Sequence, residues 1–130
     1  MRIIGGNAAG RLLKVPSGYD VRPTPDLVRQ AIFNSLAARV AGANVLDLFS
    51  GTGAIALECL SRGATHVTSV EKSQRHAGMI RLNLASSGLP EKDFDLRIQD
   101  GVLVQLIQDD IDWIGLMSLI ILKDCFGNLG

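Results

Sequence analysis

Hydrophobic and polar positions change rhythm along this chain near Gly42. Before it, two short β-prone runs, Arg2–Ile4 and Arg11–Val15, flank Gly5-Gly6-Asn7 and Gly10. Glycine and asparagine supply the positive φ that tight turns need, so this spacing predicts a β-hairpin. Residues 16–25 are rich in proline, glycine and serine and read as a linker. Thr24 can cap a helix that has Pro25 at its first position and Asp26 in its first turn. Leu27, Val28, Ala31, Ile32, Ser35 and Leu36 recur at spacings of one, three and four, which predicts that they form the buried face.

After Gly42 the period shortens. Asn44–Phe49 is an apolar run broken by one acid, Asp47, and reads as a buried parallel strand. Ser50-Gly-Thr-Gly53 is a glycine turn, followed by a helix over Ala54–Arg62 that stops at Gly63. His66–Val70 and Phe94–Ile98 read as strands, with a helix over Lys72–Ser87 between them that ends at Gly88. Gly101–Gln108 is expected to be helical and Leu116–Leu122 to form a fourth strand. This alternation predicts an α/β fold: a doubly wound parallel sheet with helices on both faces, preceded by the hairpin and its helix.

Length and charge narrow the class. A chain of 130 residues is one domain at most and long enough to bury a core. With 47% hydrophobic and 20% charged residues it is globular rather than disordered. The formal net charge is zero, which excludes a global field toward nucleic acid or an anionic membrane. Locally the balance differs: residues 1–40 hold six basic and two acidic side chains (+4), and the remainder is −4. That asymmetry points to an interaction surface at the amino end.

Cys59 and Cys125 form neither a disulfide framework nor a metal-binding pair, and they read as reduced thiols. His66 and His76 have no partner at metal-ligand or catalytic spacing and are expected at the surface, with no metal bound. Met79, Ile80, Leu82, Leu84 and Trp113 read as packing. The amino terminus lacks a signal-peptide apolar core, and Ile114–Leu122 is too short to span a bilayer. The expectation is a soluble cytoplasmic protein with no membrane partner.

The chemistry concentrates where strands end. Gly51 and Gly53 lie where the first strand gives way to a helix, and without side chains there the backbone can approach a ligand closely. Alone, Gly51-x-Gly53-x-x-Ala56 fits nicotinamide dinucleotide sites as well as others, or a plain tight turn. Glu71 follows Gly51 by 20 residues at the end of the second strand, where a carboxylate can accept both hydroxyls of a ribose. Asp47 interrupts the first strand four residues before Gly51. A carboxylate there would repel a pyrophosphate but attract a cationic ligand. Together these residues favour S-adenosylmethionine, with its sulfonium centre, over NAD.

The run Asn44-Val-Leu-Asp-Leu-Phe-Ser-Gly-Thr-Gly-Ala-Ile-Ala-Leu-Glu-Cys-Leu-Ser-Arg-Gly-Ala64 resembles the cofactor loop of Rossmann-like methyltransferases. Arg2-Ile-Ile-Gly-Gly6, Gly10-Arg-Leu-Leu-Lys-Val-Pro16 and Val21-Arg-Pro-Thr-Pro-Asp-Leu-Val-Arg-Gln-Ala-Ile-Phe-Asn34 are similar, more closely, to the bacterial 16S ribosomal RNA guanine-N2 methyltransferase family. The similarity runs from Met1 to about Gln108. It implies an S-adenosylmethionine-dependent enzyme acting on 16S rRNA or the small ribosomal subunit, by direct transfer to guanine N2 without metal. It also implies two parts: residues 1–40 as an RNA-facing extension, and 41–130 as an incomplete cofactor-binding domain. Asp47, Gly51 and Gly53 would hold the methionine part of the cofactor and Glu71 its ribose, with Phe49 a further cofactor-binding residue. Asp100 would sit by the adenine amino group or cap the following helix. Arg22 and Thr24 would close over the pocket, while Arg2, Arg11 and Lys14 would meet rRNA phosphates.

The pattern breaks near the carboxyl end. The family carries an Asn- or Asp-Pro-Pro-aromatic loop after its fourth strand, which positions the guanine amine, and then further strands. Here no proline follows Pro90, Asp124-Cys125-Phe126 stands in the corresponding stretch, and no catalytic residue is assigned. One explanation is truncation, leaving a cofactor- and RNA-binding fragment without activity. The other is a shifted reading frame, since Gly115-Leu-Met-Ser118 can be encoded so that an offset frame reads Phe-Asp-Val, a typical start of the family's fourth strand. A sheet ending on one strand leaves an unpaired edge, which predicts self-association through that edge. Thermal unfolding is therefore expected to shift with protein concentration, and a sharp concentration-independent transition of a monomer in sedimentation would contradict it.

Overall fold

The computed structural model describes residues 1–15, 25–48 and 51–98, and the backbone of 119–121. Its elements are α1 (Asp26–Leu36), β1 (Asn44–Asp47), α2 (Ala54–Ser61), β2 (His66–Glu71), α3 (Gln74–Ser87), β3 (Phe94–Ile98) and β4 (Leu119–Ile121). The strands form one sheet in the order β3-β2-β1-β4, with β1, β2 and β3 parallel. Val45 is in register with Val67, and Val67 with Phe94, so all three share a face. There they join Leu57 and Leu60 of α2 and Ile80 and Leu84 of α3 in one hydrophobic cluster. The helix expected over 101–108 lies outside the described residues.

The strand expected to continue the parallel sheet instead runs the other way. β4 pairs antiparallel with β1, placing Ile121 opposite Val45 and Leu119 opposite Asp47. A short apolar run carries strand propensity but no direction, and either sense of pairing fills the free edge of β1.

The amino-terminal segment is a hairpin, as its glycines suggest. Arg2 and Leu12 form an antiparallel bridge, Ile3 donates its N–H to the Arg11 carbonyl at 3.0 Å, and Leu13 donates to Met1 at 2.9 Å. Ile3, Ala8 and Leu13 belong to the same cluster as the sheet and its helices. The hairpin lies against the end of α2. The Asn7 N–H donates to the Ser61 carbonyl at 2.8 Å, the Ala8 N–H to Ser61 Oγ at 2.9 Å, and Ser61 Oγ donates to the Gly5 carbonyl at 2.6 Å. Gly6 is obligatory here: its φ is +79°, and a Cβ would stand 1.9 Å from the Ser61 carbonyl oxygen. With sheet on one side and hairpin on the other, every residue of α2 except Ile55 is buried.

Such a helix can carry a charge only if the charge is matched, and Glu58 is matched four times. Its Oε1 accepts from the Ile4 N–H at 2.9 Å and Arg29 Nη1 at 3.3 Å; its Oε2 accepts from the Gly5 N–H and Arg62 Nε, each at 2.8 Å. Arg29 also donates to the Arg2 carbonyl at 2.8 Å and pairs with Asp26. The Arg62 guanidinium lies 4.8 Å from the Phe33 ring centroid.

The network shifts the buried face of α1 from the one expected, although Ile32 and Leu36 do pack against the core. The fully buried residues are Arg29 and Phe33; Ile32 and Leu36 are half-buried, Ala31 and Ser35 are exposed, and Leu27 is 77% exposed. The ion pair with Glu58 turns the helix about its axis, and an apolar count assigns an arginine to the wrong side. The helix also begins one residue later than expected, after Pro25, with Thr24 outside the described residues. α3 begins after Ser73, whose hydroxyl accepts from the His76 N–H at 3.2 Å. Leu82, expected in the core, is 55% exposed on α3. Replacing Arg29 by alanine is expected to cost about 3–5 kcal/mol in urea unfolding, because it breaks a fully buried ion pair with Glu58. Leu27→Ala on the same helix should stay within about 0.5 kcal/mol of the parent.

Candidate functional site

At the carboxyl ends of β1 and β2 the chain gathers its acids and its glycine turn. Asp47 ends β1, in register with Ser69 of β2. Glu71 follows Ser69 by two positions, so both carboxylates project from the same face of adjacent strands. Asp47 is 1% and Glu71 7% exposed.

The turn is held open by its conformation. Gly51 has φ +55° and Gly53 φ +80°, a region costly for residues with a Cβ. The two glycines serve different ends. A Cβ on Gly53 would lie 3.2 Å from Ile80 Cγ1 and Cγ2, so this position lets α3 pack closely against the start of α2. A Cβ on Gly51 would meet nothing within 4 Å among the described residues. Among the described residues that side of the turn is open.

Glu71 is tied directly to the turn. Its Oε1 accepts from the Gly51 N–H at 2.9 Å, and its Oε2 from the Ser73 N–H at 2.8 Å. A carboxylate has about four acceptor positions, so each oxygen keeps capacity for a further donor such as a ribose hydroxyl. His76 is a correction to the sequence reading: it is buried rather than at the surface, with Nδ1 3.7 Å from Glu71 Oε2. The capped turn that starts α3 brings the two together, a relation that a search for metal or catalytic spacings misses.

Asn83 was also illegible as anything but helix. Fully buried, it donates from Nδ2 to the Thr52 carbonyl at 3.0 Å, and it contacts the backbone of Lys14 through both ends of its amide. Cys59 is buried and reduced on α2. Burial drives its thiol pKa far up, the Asp47 and Glu58 carboxylates add to the shift, and Arg62 opposes it, so it is no nucleophile.

Arg2, Arg11 and Lys14 are exposed on the hairpin, with Arg2 Nη1 donating to the Gly10 carbonyl at 3.0 Å. Phe49, Arg22, Thr24 and Asp100 lie outside the described residues. Among the described residues no group of three or more His, Cys, Asp or Glu side chains could hold a metal, and no helix is long and apolar enough to cross a membrane.

The family described as conserved hypothetical protein 95 matches residues 1–111. The chain belongs to this family. The match of the conserved hypothetical protein 95 family ends close to where the resemblance read from the motifs ends. Ribosomal RNA small subunit methyltransferase D of Escherichia coli (strain K12) is 44% identical over 86 residues, covering 66% of this chain and 43% of that protein. Its namesake in Haemophilus influenzae is 38% identical over 84 residues, covering 65% of this chain and 44% of that protein. Among solved structures, the candidate methyltransferase yhhF of Escherichia coli superposes with a TM-score of 0.67 at 36% identity, over 77% of this chain and 52% of that one. The fold is thus the Rossmann-like methyltransferase α/β fold. The chain spans less than half the length of the curated relatives it matches.

The two glycines separate in a stability measurement. Gly51→Ala is expected to lose only the cost of positive φ, about 1–2 kcal/mol. Gly53→Ala should lose more, because its methyl group also displaces Ile80, and chemical denaturation of both variants ranks them.

Proposed function

We propose that this chain is the cofactor-binding part of an S-adenosylmethionine-dependent rRNA methyltransferase that modifies N2 of a guanine in 16S rRNA. The observation that carries the reading is the Glu71 carboxylate bound to the Gly51 N–H at the sheet's carboxyl edge. It fixes an acceptor for ribose hydroxyls beside a turn with room for a ligand. When bound, S-adenosylmethionine supplies an electrophilic methyl group on a sulfonium with a good leaving group.

The residues of the chain divide the remaining tasks. Asp47 contributes negative charge that favours the cationic end of this ligand and disfavours a pyrophosphate, which sets the site apart from an NAD site. Gly51 admits the ligand against the backbone, and Gly53 keeps α2 and α3 in place behind it. Phe49, Arg22, Thr24 and Asp100 complete the pocket in this reading. Arg2, Arg11 and Lys14 meet rRNA phosphates, which orients the substrate without reading its sequence. The relatives named as small-subunit rRNA methyltransferases support rRNA as substrate, and the motif resemblance supports guanine N2.

Calorimetry with S-adenosylhomocysteine and tritiated methyl transfer to unmethylated small-subunit rRNA test the proposal together. Binding is expected for the parent chain, and Asp47→Ala, Glu71→Ala and Gly51→Ala should each weaken it at least tenfold, about 1.4 kcal/mol. Transfer by the whole enzyme should yield N2-methylguanine on nuclease digestion. Binding without transfer would identify a cofactor- and RNA-binding module instead, and NADH binding in place of S-adenosylhomocysteine would overturn the cofactor. Arg11→Ala should lower the salt slope of RNA binding by about one.

A further inference from the structure

Asn83 is fully buried in α3 and reaches two segments lying 69 and 31 positions away in the chain. Its Oδ1 accepts from the Lys14 N–H at 2.7 Å. Its Nδ2 donates to the Lys14 carbonyl at 3.0 Å and the Thr52 carbonyl at 3.0 Å. One acceptor and two donor hydrogens meet one N–H and two carbonyls, so the chemistry alone sets which way the amide points. Aspartate would turn oxygen toward two carbonyl oxygens, and alanine would leave three backbone groups without their partner.

The two segments joined here are the two functional ones. Thr52 lies between the ligand-facing Gly51 and the packing glycine Gly53, and Lys14 lies on the basic hairpin with its side chain exposed. We propose that Asn83 is a positioning residue that makes cofactor binding and RNA binding mutually reinforcing; this rests on the cofactor and RNA reading given above. A ligand that orders the glycine turn fixes the Thr52 carbonyl, and the amide bonded to it then holds the Lys14 backbone more firmly. The cations of that strand are thereby presented to phosphate in one geometry, and less ordering remains to oppose RNA binding. By linkage the effect is reciprocal, so RNA held on the hairpin tightens the cofactor by the same factor.

The experiment measures the dissociation constant of unmethylated small-subunit rRNA by filter binding, with and without saturating S-adenosylhomocysteine. The parent chain should bind RNA roughly fivefold or more tightly with the cofactor product present, the lower end of ordinary allosteric coupling. Asn83→Ala and Asn83→Asp should bring that ratio close to one, whereas a purely structural role would weaken both ligands and leave the ratio unchanged. Should neither variant fold, hydrogen exchange on the parent chain decides: S-adenosylhomocysteine should slow exchange of the Lys14 amide severalfold. A parent-like ratio in a folded variant, or exchange at Lys14 indifferent to bound S-adenosylhomocysteine, overturns the coupling while the binding reading stands. A parent chain that binds neither ligand overturns both.

Discussion

The carboxylate of Glu58 sits fully buried in α2, and the arrangement of the amino-terminal third depends on it. A lone charge at that depth costs several kcal/mol, so the fold must bring donors to it. It does so from three directions: two backbone N–H groups of the hairpin, Arg29 from α1, and Arg62 just past the end of α2. The hairpin, α1 and the sheet-packed helix are thereby fixed relative to one another by one side chain. α2 is also the helix whose first turn begins at Gly53, so the network that seats the hairpin steadies the glycine turn from the far end.

The parallel strands, the helices between them and both helix-ending glycines were legible in the sequence, because each has a local cause. Apolar runs of four to six residues and left-handed glycines need no knowledge of the rest of the chain. Of the candidate site, Gly51 and Glu71 were picked out by spacing, and they meet in a hydrogen bond. What escaped depends on partners remote in sequence. Arg29 looks like a solvated residue until Glu58, 29 positions away, is brought beside it. Asn83 looks like a helix position of no distinction until Lys14 and Thr52 arrive at its amide. The direction of β4 escaped for another reason, since side-chain alternation is the same for either sense of pairing.

Glu71 shows how one residue can answer two readings at once. At the end of a strand it accepts the Ser73 N–H at the entry to α3, as a residue near a helix cap would. Its other oxygen accepts from Gly51, which orients the carboxylate across the turn rather than into water. In the proposed reading, the same bonds that stabilise the loop also preorganise an acceptor for the ligand, so less ordering remains to be done on binding.

The docking of the hairpin has a consequence for synthesis on the ribosome. Residues 1–15 leave the exit tunnel well before Glu58, Ser61 and Asn83, partners that lie more than fifty positions later. Domains otherwise tend to fold from the amino end as they emerge. Here the hairpin must wait, its Ile3, Ala8 and Leu13 uncovered, until α2 and α3 have been translated. The hairpin thus takes its place by closing over helices younger than itself.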